Sequence, residues 1–223
     1  MKYYAIIVGG GSGTRMQQEL PKQFIELNGK PILMHTIAAF AQCALKPKII
    51  LVLNVHYHQL WEELCAQHQF NIPHQLVKGG EQRFNSVKNG LKNIKSGAIV
   101  AIHDAVRPLI SAELITKSFE EAAAKGNAVM GVPSKDSVRL LKGDESKAIK
   151  RESVYLMQTP QTFQIEQLKK SYEQEYRMDF TDDASVVERM GYPIHLIEGA
   201  ASNIKITYPE DLLFAEQLMS RRS

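Results

Sequence analysis

At 223 residues, with 44% hydrophobic and 23% charged side chains, the chain is long enough to bury a sizeable core, and it is expected to fold throughout as one domain, residues 1–223, without a large disordered part. The formal net charge of +3 comes from Lys and Arg residues scattered along the sequence rather than gathered into a stripe, which argues against a nucleic-acid partner. Two cysteines, Cys43 and Cys65, form no CxxC pair and have no His at ligand spacing, so neither a structural zinc site nor a disulfide framework is expected and a reducing compartment is.

The first apolar run, residues 4–8, is far too short for a membrane span or a signal peptide and ends in glycines rather than a cleavage site. A cytoplasmic location with no membrane partner is therefore expected. Further runs rich in β-branched residues follow at 48–53, 99–102 and 128–132, with a strand-like stretch at 75–77. Between them lie segments with helical periodicity at 31–42, which has Pro31 at a favourable first position, and at 57–68, 83–93 and 111–125. This alternation predicts an α/β fold with a mostly parallel, doubly wound sheet.

The alternation breaks after Pro133. Residues 136–141 and 148–151 read as two short strands around the turn-rich Lys142-Gly143-Asp144-Glu145, which predicts a β-hairpin leaving the main sheet. An isolated two-stranded ribbon is marginally stable in water, so the hairpin is expected to pack on something else, a second subunit being the economical candidate. Residues 209–219 predict a closing amphipathic helix bearing Leu212, Leu213, Ala215 and Leu218.

The first strand runs into Gly9-Gly10-Gly11-Ser12-Gly13-Thr14-Arg15-Met16, whose missing side chains let backbone N–H groups approach a phosphate or a base. It ends Gly-Thr-Arg, not Gly-Lys-Ser/Thr, so it is not a Walker A loop. Pro21 interrupts any helix opening in the loop and Asn54 stands where a dinucleotide fold closes its second strand with an acid, so a Rossmann fingerprint is poorly matched. Arg15 and Lys22 are two cations on a proline-stiffened segment beside the glycines, and positioned cations are what nucleotidyl transfer needs as charge builds on phosphate oxygens. Each alone could be a solvated loop charge; their joint placement favours the functional reading.

Gly79-Gly80-Glu81-Gln82-Arg83-Phe84-Asn85-Ser86 follows the strand-like 75–77 and opens a helix, so glycine backbone and the helix start can meet base, ribose or phosphate, although the glycines could equally just turn the chain. Residues 99–102 lead into His103-Asp104-Ala105-Val106-Arg107-Pro108, placing Asp104 at the carboxyl end of a strand, where it could hold Mg²⁺ or a substrate hydroxyl. Arg107 offers a donor fork for a phosphate or for Asp104 itself, and a buried Asp–Arg pair that merely steadies the loop remains open. Asp136-Ser137, Lys150-Arg151, Thr159-Pro160-Gln161, Thr181-Asp182-Asp183-Ala184 and Asn203-Ile204-Lys205-Ile206-Thr207 are ordinary taken singly, and His56-Tyr57-His58 lacks a third metal ligand.

Taken together and in this order, GGGSGTRM, PKQF, GGEQR..S, HDAVRP, TPQTF, TDDAS and NIKIT..ED resemble the 2-C-methyl-erythritol 4-phosphate cytidylyltransferases of the non-mevalonate isoprenoid route, and the resemblance spans nearly the whole chain. It implies a Rossmann-like nucleotidyltransferase fold, a mostly parallel twisted sheet with helices on both faces, and a protruding β-arm at 134–158 that builds a homodimer. It further implies CTP and a polyol phosphate as substrates and Mg²⁺ as the divalent cation. Arg15 and Lys22 match the pair that stabilises the transition state; Gly9, Gly10, Gly11, Gly80, Glu81 and Ser86 match the CTP-binding elements. Asp104, Arg107, Ser137 and Thr181 match positions around the acceptor. Arg151, supplied by the partner subunit, and Lys205 match residues that aim the acceptor phosphate. Val8, Glu81, Ser137 and Ser202 depart from the family pattern, where Pro, Asp, Thr and Asp are common.

The expected reaction is in-line attack by the acceptor phosphate on the α-phosphorus of CTP, with Mg²⁺ bridging the nucleotide phosphates and pyrophosphate leaving toward Arg15 and Lys22. The acceptor phosphate, with a second pKa of about 6, needs no general base at neutral pH. The alternatives weighed are a ribitol 5-phosphate cytidylyltransferase, a dinucleotide-dependent oxidoreductase and a non-catalytic nucleotide sensor.

Overall fold

Residues 1–9 and 20–221 are described by the structure, a computed structural model. β1 (Lys2–Val8) enters the core through residues 5–8, an apolar run buried on both faces, the pattern of a central parallel strand. β2 (Glu26–Leu27) and β3 (Lys30–Pro31) make a tight hairpin in which Asn28 and Gly29 both adopt positive φ, 48° and 75°, the conformation that an Asn-Gly pair tolerates best. α1 (Ile32–Gln42), β4 (Lys48–Leu53), α2 (His58–Gln67) and β5 (Gln75–Lys78) follow, then α3 (Arg83–Leu91), β6 (Ala98–Asp104), α4 (Ala112–Lys125) and β7 (Asn127–Pro133). After the excursion of β8 (Val138–Lys142) and β9 (Glu145–Ile149), the chain returns through β10 (Tyr155–Gln164), α5 (Ile165–Ser171), α6 (Asp183–Arg189), β11 (Leu196–Glu198) and α7 (Pro209–Ser220).

The main sheet has the order β11-β7-β10-β6-β1-β4-β5. β1 pairs in parallel with β4 and β6, β4 with β5 and β7 with β11, whereas β10 runs antiparallel to both β6 and β7. The expected mostly parallel sheet is thus observed, with one reversed strand. Alternate residues feed two layers. Ala5, Ile7, Leu51 and Ala101 pack with Leu33, Ile37 and Phe40 of α1, Trp61 of α2 and Ile115 and Phe119 of α4. Ile6, Val8, Ile50, Val52, Val100 and Ile102 pack with Phe84 and Val87 of α3, Leu168 of α5 and Val186 and Val187 of α6. Each fully buried Val, Leu, Ile or Phe among them contributes about 1.5–3 kcal/mol. A third cluster joins Leu27, Ile32, Val106, Leu109 and Ile206 to Ala215 of α7.

Element ends move by one or two residues from the sequence expectation for local reasons. Ser111 is the cap of α4, its hydroxyl accepting from the Leu114 N–H, rather than its first residue. The segment expected as helix from Tyr57 begins with a 3-10 turn, Val55–Tyr57, because the Asn54 side chain accepts from the His56 N–H; α2 proper starts at His58. The hairpin forms, but shifted. Lys142 pairs with Glu145, leaving Gly143-Asp144 as a two-residue turn with φ +61° at Gly143, and β9 ends at Ile149. Arg151, expected at a strand end, instead opens a 3-10 turn, Arg151–Ser153, closed by Val154 N–H donating to the Arg151 carbonyl.

Candidate active site

The strand order reverses between β1 and β6: the chain passes from β1 outward to β4 and β5, then returns to place β6 on the other side of β1. Open α/β sheets bind ligands at such a switch point, beyond the carboxyl ends of the strands. Val8 and Asp104 end their strands in register, and the Ala105 N–H donates to the Val8 carbonyl at 3.0 Å.

On the β1 side, the Gly9 N–H donates to the Val52 carbonyl, and the carbonyl of Gly9 accepts from the buried Gln23 side chain at 2.8 Å. A Cβ on Gly9 would lie 2.7 Å from Leu53 Cδ2 and 3.3 Å from Ala105 Cβ, so the backbone lies against its neighbours here. Lys22 opens a short 3-10 turn, Lys22–Phe24, anchored by buried Gln23 and Phe24. Gly10, Gly11 and Arg15 lie outside the described residues. On the neighbouring loop, the Gly80 N–H donates to the hydroxyl of Ser86 at 3.0 Å, and a Cβ on Gly80 would come within 2.3 Å of Asn85 Cβ. Ser86 is buried in the first turn of α3 and fixes the shape of the glycine loop, while Glu81 is exposed.

On the β6 side Asp104, 7% exposed, is ringed by cations. Its Oδ1 accepts from Arg83 Nε at 3.3 Å; its Oδ2 meets Lys205 Nζ at 2.9 Å and lies 3.6 Å from Arg107 Nε. Burial alone would raise the carboxyl, but Arg83, then Lys205 and Arg107, outweigh it and hold Asp104 well below the usual carboxylate range. Its backbone N–H donates to the Thr159 hydroxyl at 3.0 Å. Thr159 reaches this point because β10 runs backward and its register shifts between Met157 and Gln161, around the cis Thr159-Pro160 bond.

Arg107 also donates to the Asn203 carbonyl at 2.8 Å, and Asn203, fully buried, donates to the Thr159 carbonyl at 2.9 Å. The Ile206 N–H donates to the Val106 carbonyl. These bonds fasten the 203–206 segment, and with it Lys205, against the end of β6. His103, fully buried, is pushed by burial down to about 4 and is neutral at pH 7, with Nε2 placed to donate to the Arg107 carbonyl at 3.1 Å.

The structure therefore brings together Asp104, Arg107 and Lys205 of the expected residues. Ser137 and Arg151 are exposed, and Arg151 Nε lies 3.4 Å from Glu152 Oε1. Thr181 is exposed at the rim of a shallow pocket lined also by Gln82, Arg83, Tyr172 and Asp182. Arg83, Asp183 and Gln23 take part without having been given roles from the sequence. Arg83 stands inside the GGEQR segment, but its partner Asp183 lies a hundred residues away, and only the TDDAS motif hinted at it. Among the described residues, no group of three or more His, Cys, Asp or Glu could hold a metal ion, and the three cations around Asp104 oppose a divalent cation there.

The family model for IspD, 2-C-methyl-D-erythritol 4-phosphate cytidylyltransferase, matches residues 3–221. The protein of that name from Bacteroides fragilis is 47% identical over 215 residues, covering 96% of this chain and 98% of its own length. The Bacteroides thetaiotaomicron protein is 45% identical over 219 residues, covering 98% and 100%. Among solved structures, the 4-diphosphocytidyl-2C-methyl-D-erythritol synthase of Anaerococcus prevotii superposes with a TM-score of 0.84 at 29% identity, covering 99% of this chain and 97% of its own. The 2-C-methyl-D-erythritol 4-phosphate cytidylyltransferase of Thermus thermophilus gives 0.79 at 29% identity, covering 99% and 100%.

Proposed function

We propose, on the premise that this chain belongs to the 2-C-methyl-D-erythritol 4-phosphate cytidylyltransferase family, that it binds its nucleotide at the β1 side of the switch point and its acceptor at the β6 side. The chain is a nucleotidyltransferase of Rossmann-like fold: it transfers CMP from CTP to 2-C-methyl-D-erythritol 4-phosphate, giving 4-diphosphocytidyl-2-C-methyl-D-erythritol and pyrophosphate, a step of non-mevalonate isoprenoid precursor synthesis.

The division of labour rests on one observation, the Asp104 carboxylate at the end of β6 with Lys205 and Arg107 held against one of its oxygens. A doubly charged phosphate entering there finds two cations already gathered, so little ordering is required when it binds. Lys205 and Arg107 hold the acceptor phosphate, Asp104 keeps them in place, and the hydroxyls of Ser137 and Thr181 meet the polyol. Gly9, Gly10, Gly11, Gly80, Glu81 and Ser86 hold CTP. Arg15 and Lys22 neutralise charge on the α-phosphate and the leaving pyrophosphate, and no covalent intermediate or general base is required.

A divalent cation bound to the triphosphate would supply further charge neutralisation. We assign it to the nucleotide's own phosphates, because the described donors do not fit a protein-held site and Asp104 is already surrounded by positive charge.

The β8–β9 hairpin is proposed as the dimerising arm of residues 134–158. It pairs with no strand of the main sheet, and Leu140 and Leu141 on it are 60% and 73% exposed. A second copy covering these side chains would bring its Arg151 to the acceptor. No helix among the described residues is long and apolar enough to cross a membrane, and we propose a cytoplasmic setting.

Pyrophosphate release from CTP and Mg²⁺ in the presence of 2-C-methyl-D-erythritol 4-phosphate or of ribitol 5-phosphate tests the assignment. Release with the first acceptor and little with the second is expected. No release with the first overturns it.

A further inference from the structure

We propose that Arg83 is a positioning residue that holds Asp104 so that Lys205 and Arg107 stay available to the acceptor phosphate; this rests on the cytidylyl-transfer reading above. Arg83 is the first residue of α3, three positions after Gly80, and its guanidinium spans two carboxylates. Nε donates to Asp104 Oδ1 at 3.3 Å and Nη2 to Asp183 Oδ2 at 2.7 Å.

Asp183 is fully buried at the start of α6, and its other oxygen accepts from the Tyr172 hydroxyl at 2.6 Å. The far prong of the fork is thus rooted in the core and does not follow a ligand. The near prong occupies one oxygen of Asp104, while Lys205 and Arg107 face the other. Remove Arg83, and the Asp104 carboxylate, with one oxygen vacated, can turn further toward Lys205 and Arg107 and engage both more closely, in competition with the incoming phosphate. Arg83 therefore links the helix after the Gly79-Gly80 loop to the acceptor cations through Asp104.

The test is steady-state kinetics of pyrophosphate release for the full chain and its Arg83→Gln, Arg83→Lys and Asp183→Asn variants, with KM measured separately for each substrate. Arg83→Gln is expected to raise the acceptor KM about tenfold, within the range by which residues of one hydrogen-bonded network perturb each other, while the KM for CTP changes less than about twofold. Arg83→Lys, which keeps the charge but loses the two-pronged geometry, is expected to recover part of the loss. An acceptor KM unchanged in Arg83→Gln overturns the proposal, as does an equal rise in both KM values or a fall in melting temperature with kinetics intact. Where Arg83→Gln does not fold, Asp183→Asn and Arg83→Lys carry the same comparison. A wild-type chain inactive with the acceptor sinks the reaction itself, whereas an active wild type with an indifferent Arg83→Gln sinks only the positioning role.

Discussion

Asp104→Asn is isosteric and removes only the charge that three cations share. The ion pairs it dissolves are those with Lys205 Nζ at 2.9 Å, Arg83 Nε at 3.3 Å and Arg107 Nε at 3.6 Å. At an effective dielectric of about 20, each such contact carries about 5 kcal/mol of attraction, set against the desolvation of Asp104 and the mutual repulsion of the cations. Breaking a buried pair typically costs about 3–5 kcal/mol. The Lys205 side chain is 41% exposed and can turn to water, and Arg83 keeps its bond to buried Asp183, so only Arg107, at 11%, is left with an uncompensated buried charge, which places the expected loss near the lower bound, about 3 kcal/mol. For a chain of this size that is a fall in Tm of about 6–12 °C, readable by thermal unfolding at pH 7. Because the folded-state carboxyl sits below its unfolded value, the stabilisation is fully present above about pH 4 and is lost as pH falls further toward the folded value. The gap between wild type and variant should therefore be flat from about pH 5 to pH 8 and shrink below about pH 4. A Tm within about 2 °C of wild type at pH 7 would show that the three cations do not depend on this carboxylate, and the reasoning would be refuted.

Gly80→Ala puts a methyl 2.3 Å from Asn85 Cβ, which breaks the Gly80–Ser86 hydrogen bond; it should cost about 1–3 kcal/mol and raise the KM for CTP more than that for the acceptor, and equal KM values would contradict it. Lys22→Ala should lower kcat about 10²–10³-fold while calorimetric CTP affinity changes little, and a kcat close to wild type removes Lys22 from the transition state. If the arm dimerises the chain as proposed, light scattering should give a dimer for wild type and a monomer for Leu141→Asp, and a monomeric wild type would refute it. Mixing Arg151→Ala with Lys205→Ala protomers should restore activity that neither parent shows, because one site per mixed dimer is then complete; a mixture as inactive as its parents would place Arg151 outside the partner's site.

β1, β4 and β6 were legible because they are buried on both faces and read as apolar runs, and Pro31 and Ser111 mark helix starts, whereas the two-residue strands β2 and β3 were too short to show any pattern. β10 was not: YLMQTPQTFQ carries three glutamines and a proline, which read as loop, and its inner residues are held by hydrogen bonds such as Gln161 Nε2 to Asp182 Oδ2 that only the tertiary fold supplies. The short α5 and α6 were missed for the same reason, since seven residues hold too little periodicity to stand out. Within the site, Asp104 was visible as the end of a strand run. Arg83 was not, because its meaning depends on Asp183 and Tyr172, which the fold alone brings near. Gln23 likewise reads as an ordinary polar residue until the carbonyl of Gly9 is seen beside it.

A single strand laid against the grain settles where the excursion emerges. β7 leaves the sheet at the ligand edge, and β10, being reversed, re-enters at that same edge, so no helix is needed to carry the chain back across. The Ser134 N–H donating to the Val154 carbonyl at 2.9 Å closes the neck of the loop so formed. Whatever is threaded through that neck, long or short, is delivered beside the carboxyl end of β7 by connectivity alone, leaving the rest of the scaffold undisturbed as the outgrowth is lengthened or redecorated.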